Sequence, residues 1–287
     1  MTIRVVTEIA ELAAELATRR QRGASVGYVP TMGYLHAGHV SLFDTSVENN
    51  DTTVASIFVN PLQFAPGEDF EAYPRDPDGD RFAAEAAGVD LFFVPSVEEM
   101  YPNPVLTRIT VSGVSSTMEG AARPVHFSGV ATVVAKLFSI VGPSTAYFGE
   151  KDFQQLAVIR RMASDLSLPT RVVGCPTVRE SDGLAMSSRN VYLTAGERAA
   201  APVLHRALQA GADLVREGET DADRVRDAIA TMIRDTDSGV CDYVEVAQRE
   251  TLESQSRSGP DSRLFGAIRF SRARLIDNVG VDVGAAS

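Results

Sequence analysis

The chain has 287 residues, 44% of them hydrophobic, a composition that excludes disorder as the default and gives room for one large domain or two of ordinary size. Its formal net charge of −11 argues against a surface that grips nucleic acid, because that mode needs clustered lysine and arginine. Cys175 and Cys241 are the only cysteines, too few for a disulfide framework or a cysteine-rich zinc site, and no signal-like or membrane-length apolar run is present. A cytoplasmic protein without membrane contact is expected.

In chain order, Thr7 is placed to cap a helix whose apolar positions Ile9, Leu12, Ala13 and Leu16 share one face, with Gly23 ending it. Residues 25–29 read as a short buried strand, and Val40, Leu42 and Phe43 begin the apolar face of the next helix. A turn at Asn49-Asn50-Asp51 precedes a buried strand over 53–59. The stretch 60–75, with Pro61, Pro66, Gly67 and Pro74, reads as a long loop at the sheet's C-terminal edge and a candidate lid. Asp76 and Pro77 open a helix that stops at Gly88, and strands follow at 89–94 and, shorter, at 108–111. The segment 123–129 leads into a long helix bearing Val130, Val133, Val134, Leu137, Phe138 and Val141, closed by Pro143. A strand at 145–148 runs into Gly149-Glu150-Lys151-Asp152 and a helix from Phe153 to about residue 166.

Strands alternating with helices through residue 175 predict an α/β fold with a parallel sheet. Past Cys175 the composition changes to a polar, hydroxyl-rich loop over 176–190. Thr194 then caps a helix running past Leu204 and Leu208, a second helix lies near 223–233, and strands follow at 243–246, 264–270 and 274–276. Helices followed by strands predict a small α+β domain, so the expected division is 1–176 and 177–287. No regular structure is assigned to the serine-rich loop 254–262.

The stretch 30–42, Pro-Thr-Met-Gly-Tyr-Leu-His-Ala-Gly-His-Val-Ser-Leu, joins a strand to a helix. A helix start leaves backbone N–H groups unpaired and carries partial positive charge, so an anion settles there, and His36 and His39 add donors on one side of the first turn. Gly33 and Gly38 permit close backbone approach. The alternative is a plain helix start with incidental histidines. Gly149-Glu150-Lys151-Asp152 repeats the arrangement: Lys151 offers an ammonium to a phosphate and Asp152 an acceptor to a ribose hydroxyl, unless this is a solvated surface turn. Met186-Ser187-Ser188-Arg189 supplies two hydroxyls and a guanidinium suited to a polyphosphate, unless the serines merely turn the chain. Asn60, Gln63 and Gln155 offer amides that orient a small polar acid, although each alone is more often a satisfied surface amide. Three of the four histidines, His36, His39 and His126, fall at glycine-bearing junctions, leaving His205 on an ordinary helix. For His126 a substrate contact and a subunit-interface or helix-entry role fit equally.

His-x-Gly-His at 36–39 resembles the signature of nucleotidylyltransferases and class I aminoacyl-tRNA synthetases, whose histidines contact ATP phosphates. Further motifs stand in order: Ile-Phe-Val-Asn-Pro-x-Gln-Phe at 57–64, Tyr-Pro-Arg at 73–75, Arg-Pro-x-His-Phe-x-Gly-Val at 123–130, Phe-Gly-Glu-Lys-Asp at 148–152 and Arg-Glu-x-Asp-Gly-Leu-Ala-Met-Ser-Ser-Arg-Asn at 179–190. Together, from about Val26 to Asn278, they resemble the pantothenate synthetase family of ATP-dependent pantoate–β-alanine ligases in coenzyme A biosynthesis.

The resemblance implies a Rossmann-like sheet with helices on both faces that binds ATP and pantoate, a smaller C-terminal lid domain, and a homodimer. By position it assigns ATP to Met32, Gly33, Tyr34, Leu35, His36, Ala37, Gly38, His39, Gly149, Glu150, Lys151, Asp152, Val178, Met186, Ser187, Ser188 and Arg189, with His39 as proton donor. It gives pantoate to Gln63 and Gln155, with Gln63 also beside β-alanine. The implied chemistry is attack of the pantoate carboxylate on the α-phosphorus of Mg-ATP to give pantoyl adenylate and pyrophosphate, then displacement of AMP by the amine of β-alanine. Adenylation needs cations and donors rather than a protein nucleophile, and these residue types supply them. Two features depart from the family pattern: Gly79 interrupts the acidic run that bears on magnesium, so no metal ligand is assigned, and the loop near Ser256 is longer than expected.

Three rival functions share parts of this pattern. A nucleotidylyltransferase joining a nucleotide to a phosphorylated alcohol needs the histidines without the Gln63 and Gln155 pair. A nucleotide-sensing module keeps the phosphate contacts without a route for a second substrate. A tRNA-charging enzyme is disfavoured by the acidic charge balance.

Overall fold

The computed structural model describes residues 2–68, 70–236 and 238–281; Met1, the tail 282–287 of the expected second domain, and Asp69 within the 60–75 loop lie outside the described residues. The chain divides into two compact units, one of Met1–Glu150 with Gln155–Pro176, the other of Lys151–Gln154 with Thr177–Ser287.

Through residue 175 the elements are β1 (Arg4–Val6), α1 (Ile9–Gln21), β2 (Val26–Thr31), α2 (Ala37–Asn49), β3 (Thr52–Ile57), α3 (Pro77–Ala86), β4 (Leu91–Phe93), the single-turn helices α4 (Val97–Met100) and α5 (Glu119–Ala122), α6 (His126–Val141), β5 (Ser144–Gly149), α7 (Phe153–Asp165) and β6 (Thr170–Cys175). The six strands form one parallel sheet in the order β1-β4-β3-β2-β5-β6. From β2 the chain builds outward through β3 and β4, then returns to place β5 and β6 on the other side of β2. The switch point therefore lies between β2 and β5, where open α/β sheets bind ligands at the C-terminal ends of their strands. The ladder is shorter on that side. β2 pairs with β3 through Thr31 and Ile57, whereas its ladder with β5 holds only Gly27 with Thr145 and Tyr28 with Ala146.

Gly27 lets α2 seat directly on β2, because a Cβ there would meet Ser46 Oγ at 2.1 Å. That contact fixes the height of α2 on β2. Phe43 and Leu42 on α2 join Val29, Ala55 and Phe92 in one buried cluster. Two hydroxyl pairs lie inside: Tyr28 Oη with Ser56 Oγ at 2.7 Å, and Ser46 Oγ with Thr53 Oγ1 at 2.8 Å.

Two local expectations are corrected, and one strand is added. Residues 108–111 form no strand; the Ile109 amide donates to Thr132 Oγ1 on α6 at 3.0 Å, so a side chain takes the bond that a neighbouring strand would have taken. Thr7 does not cap α1: Glu8 stands at the cap position, and the Ile9 amide donates to the Glu99 carboxylate of α4 at 2.8 Å, which puts a negative charge at a helix N-terminus. β1, with three residues, is too short to be legible before the helix that follows it.

The second unit contains α8 (Ala195–Ala200), α9 (Val203–Arg216), α10 (Ala222–Arg234) and the antiparallel sheet β7 (Val240–Gln248), β8 (Ser262–Arg269), β9 (Arg274–Gly280). Leu204 and Leu208 of α9 and Val225 and Ile229 of α10 pack with Leu264 and Ile268 of β8 in one core. The serine-rich loop, to which the sequence assigns no regular structure, is pinned: the Ser258 amide donates to Thr220 O at 3.0 Å, and Ser258 and Ser262 are 6% and 1% exposed. Among the described residues no helix is long and apolar enough to cross a membrane.

Thr194 caps α8 reciprocally with Glu197, whose carboxylate also accepts the Ser271 amide at 2.8 Å. These bonds, first the Thr194 amide and then the Ser271 hydroxyl and amide, pull the Glu197 pKa down to about 2. The folded chain thus holds this proton less readily than the unfolded chain does. The stabilisation is complete above the unfolded carboxyl value and fades as pH falls through about 2. Glu197→Gln is expected to lower Tm by a few degrees at pH 7 and by progressively less toward pH 2, as followed by thermal melts across that range.

Candidate active site

In the first unit the strand-to-helix turn is held by Asp80 and Thr31. Gly33 and Tyr34 both take positive φ, 84° and 54°, a conformation that glycine adopts freely and tyrosine does not. Asp80, on α3 and 3% exposed, accepts the Tyr34 amide at 2.9 Å and the Leu35 amide at 2.6 Å. Burial pushes the Asp80 carboxyl up, an effect opposed by the two amides. Thr31 Oγ1 donates to Ser56 O at 2.9 Å and accepts the Gly33 amide at 3.2 Å.

His36 is the N-cap of α2. Its Nδ1 accepts the Gly38 amide at 3.1 Å, while His39 Nδ1 accepts the His36 amide at 3.3 Å, and the two ring centroids lie 4.1 Å apart. A ring nitrogen that accepts carries no proton, so in the neutral imidazole the proton resides on Nε2. Each histidine therefore satisfies a backbone donor with one nitrogen and presents a donor with the other.

Beyond β3, Gln63 lies in a short 3-10 turn, 6% exposed. Asn60, 1% exposed, donates from Nδ2 to Gln63 Oε1 at 3.1 Å and to Gly129 O at 3.2 Å, and its Oδ1 accepts from Leu62 N and from Tyr101 Oη. Asn60 thereby sets which end of the Gln63 amide is a donor, and Gln63 Nε2 reaches Met32 Sδ at 3.0 Å. His126 Nδ1 lies 3.2 Å from Gln63 O at the entry to α6. Arg123 pairs through two nitrogens with Glu68 at 2.9 and 2.8 Å, which holds the Glu68 carboxyl below its usual range. Met32, Asn60, Gln63 and His126 are thus brought together. Gly149 ends β5, Glu150 follows it, and Gln155 lies half-buried on the first turn of α7.

In the second unit Lys151 and Ser187 line one small cavity with Asn190, His205 and Asp277. Lys151 Nζ pairs with Asp152 Oδ1 at 3.3 Å. Val178 and Met186 meet through the Met186 amide and the Val178 carbonyl at 3.0 Å, and Ser187 accepts the Arg189 amide at 3.3 Å. Arg179 binds Asp277 of β9 with both terminal nitrogens, at 2.6 and 2.9 Å. Burial pushes the Asp277 carboxyl up, but His205 and Arg179 outweigh it and hold it below the usual carboxylate range.

Asp80, Tyr101, Asp277 and Asn278 are not singled out as site residues by the sequence. Asp80 has a visible signal, an acid spaced from a helix cap, but its partners lie 45 and 46 residues away.

The chain matches the family model described as pantoate-beta-alanine ligase over residues 4–280. It is 50% identical over 281 residues to the pantothenate synthetase of Acetivibrio thermocellus, covering 98% of this chain and 100% of that one. The crystal structure of pantothenate synthetase from Thermus thermophilus superposes with a TM-score of 0.92 at 50% identity, covering 98% and 100% of the two chains. That of pantoate-beta-alanine ligase from Francisella tularensis, complexed with beta-gamma ATP and beta-alanine, gives 0.78 at 31% identity, covering 98% and 99%.

Asp80→Ala leaves two amides of a strained turn without their acceptor. It is expected to lose roughly 1–3 kcal/mol of stability in urea unfolding and to abolish hydrogen-exchange protection at Tyr34 and Leu35. Unchanged protection at both amides would show that the turn does not need Asp80.

Proposed function

The chain belongs to the pantoate–β-alanine ligase family, whose reaction is the ATP-dependent joining of pantoate to β-alanine, and we propose how its residues divide that reaction. The pantoate carboxylate attacks the α-phosphorus of ATP, a P–O bond forms as the bond to pyrophosphate breaks, and pantoyl adenylate results. The amine of β-alanine then attacks the activated carbonyl, loses a proton and expels AMP. No protein nucleophile takes part in either step.

The observation that carries the assignment is the reciprocal bonding of His36 and His39, which fixes both imidazoles at the start of α2 and places the proton of each neutral ring on Nε2. Donors fixed before the substrate arrives need no reorganisation when charge develops on phosphoryl oxygens. In this reading Met32 to His39, Gly149 to Asp152, Val178 and Met186 to Arg189 are the ATP-binding residues, with His39 as the proton-donating group and Lys151 and Arg189 supplying positive charge. Gln63 and Gln155 hold pantoate, and Asn60 acts behind Gln63 by orienting its amide.

Magnesium would be held by the ATP phosphates, which supply oxygen ligands themselves. Among the described residues no three His, Cys, Asp or Glu side chains gather as a metal cage, and both Asp80 oxygens accept backbone amides, so no protein ligand is assigned to the ion. A homodimer in the cytosol accords with the family resemblance.

Two experiments test this. Pantoate alone should drive exchange of labelled pyrophosphate into ATP, and exchange that required β-alanine would contradict a free-standing adenylation step. Lys151→Ala should lose roughly 3 kcal/mol of transition-state stabilisation in adenylate formation, measured by rapid-quench single turnover, and clearly less in the reaction of supplied pantoyl adenylate with β-alanine. The asymmetry follows because two anionic groups meet only in the first step, whereas the attacking amine of the second is neutral. Equal losses in both assays would remove Lys151 from its assigned role.

A further inference from the structure

β9 carries two adjacent buried polar residues, Asp277 and Asn278, each 4% exposed. Asp277 holds Arg179, at the base of the loop that bears Ser187 to Arg189. Asn278 reaches the other way: its Nδ2 donates to the Lys151 carbonyl at 2.9 Å, and its Oδ1 accepts from Arg263 Nε at 2.6 Å. Its backbone amide donates to Asp277 Oδ1 at 2.8 Å, which ties the two anchors into one network. Arg263 is itself fixed, 6% exposed with its guanidinium 3.7 Å from the centroid of the Phe153 ring. All of these residues belong to the second unit.

A lysine ammonium sits on a flexible four-carbon stem, so a neighbour gains most control over its aim by fixing the peptide from which the stem departs. The side-chain amide of Asn278 does this for Lys151, and the cation at its oxygen end polarises it into a stronger donor at its nitrogen end. Lys151 and Ser187 also line a common cavity with Asp277. Adjacent positions on one strand thus anchor the lysine and the hydroxyl-bearing loop.

We propose that Asn278 is a positioning residue for adenylate formation, acting through the Lys151 peptide and backed by Arg263. The proposal rests on the assignment of Lys151 to that step. Asn278→Asp is the sharpest probe: it preserves shape and the pairing with Arg263, but replaces the donor facing the Lys151 carbonyl with an acceptor. In the full chain it should slow single-turnover adenylate formation by about 10- to 100-fold, change the aminolysis of supplied pantoyl adenylate by no more than about threefold, and leave the KM for ATP nearly unchanged. In a Lys151→Ala background the same substitution should add no more than about a twofold loss, because the group it positions is gone.

A full multiplicative loss in both backgrounds, or equal losses in both half-reactions, would overturn the proposal and mark Asn278 as a general support of the fold. A parental rate for Lys151→Ala alone would overturn the lysine assignment, and the proposal with it. A slow Lys151→Ala protein with an additive Asn278→Asp effect would overturn the proposal only. If Asn278→Asp fails to fold, Arg263→Gln is read in the same cycle. It should give a smaller loss, about 3- to 10-fold, in adenylate formation alone, absent without Lys151; an additive effect there also overturns the proposal.

Discussion

A turn that offers backbone and imidazole donors to an anion must first satisfy the donors it does not offer. The segment from Thr31 to His39 meets this constraint with groups from both near and far. Thr31 takes the Gly33 amide, Asp80 takes those of Tyr34 and Leu35, and the imidazoles of His36 and His39 take those of Gly38 and His36. An orphaned buried N–H costs on the order of 1–3 kcal/mol, so a strained turn with several of them would not hold one shape. The arrangement also decides chemistry, since a histidine whose Nδ1 is committed to accepting has only Nε2 left to donate.

The same logic governs the amides and cations. A carboxamide has a donor end and an acceptor end, and whichever neighbour binds one end selects what the other offers. Asn60 does this for Gln63 in the first unit, and Arg263 does it for Asn278 in the second. The buried Asp277 carboxylate is tolerated because Arg179 meets it with two parallel bonds, and that pair ties a polar loop to β9. The groups proposed to touch substrate are thus backed by buried polar residues whose own partners are already fixed.

The sequence by itself determined the alternation of strands and helices, the position of the strand-to-helix turns, and the change of character after Cys175, because these rest on local periodicity, caps and glycine punctuation. It determined the chemical content of the proposed site for the same reason: the histidines, Lys151, the Ser-Ser-Arg run and Gln63 lie in contiguous motifs beside those turns. Only the tertiary structure decided that the amide of Ile109 would go to Thr132 rather than to a strand, that Glu99 and not Thr7 would meet the start of α1, and that the serine-rich loop would be pinned at Thr220. Only it decided that Asp80 would hold the histidine turn and that Asn278 would hold Lys151, 127 residues away in the chain. A carboxylate or amide looks the same in a sequence whether it faces water or a distant backbone group. Which of these it meets is settled by strand order and packing, which bring together residues that no local pattern connects.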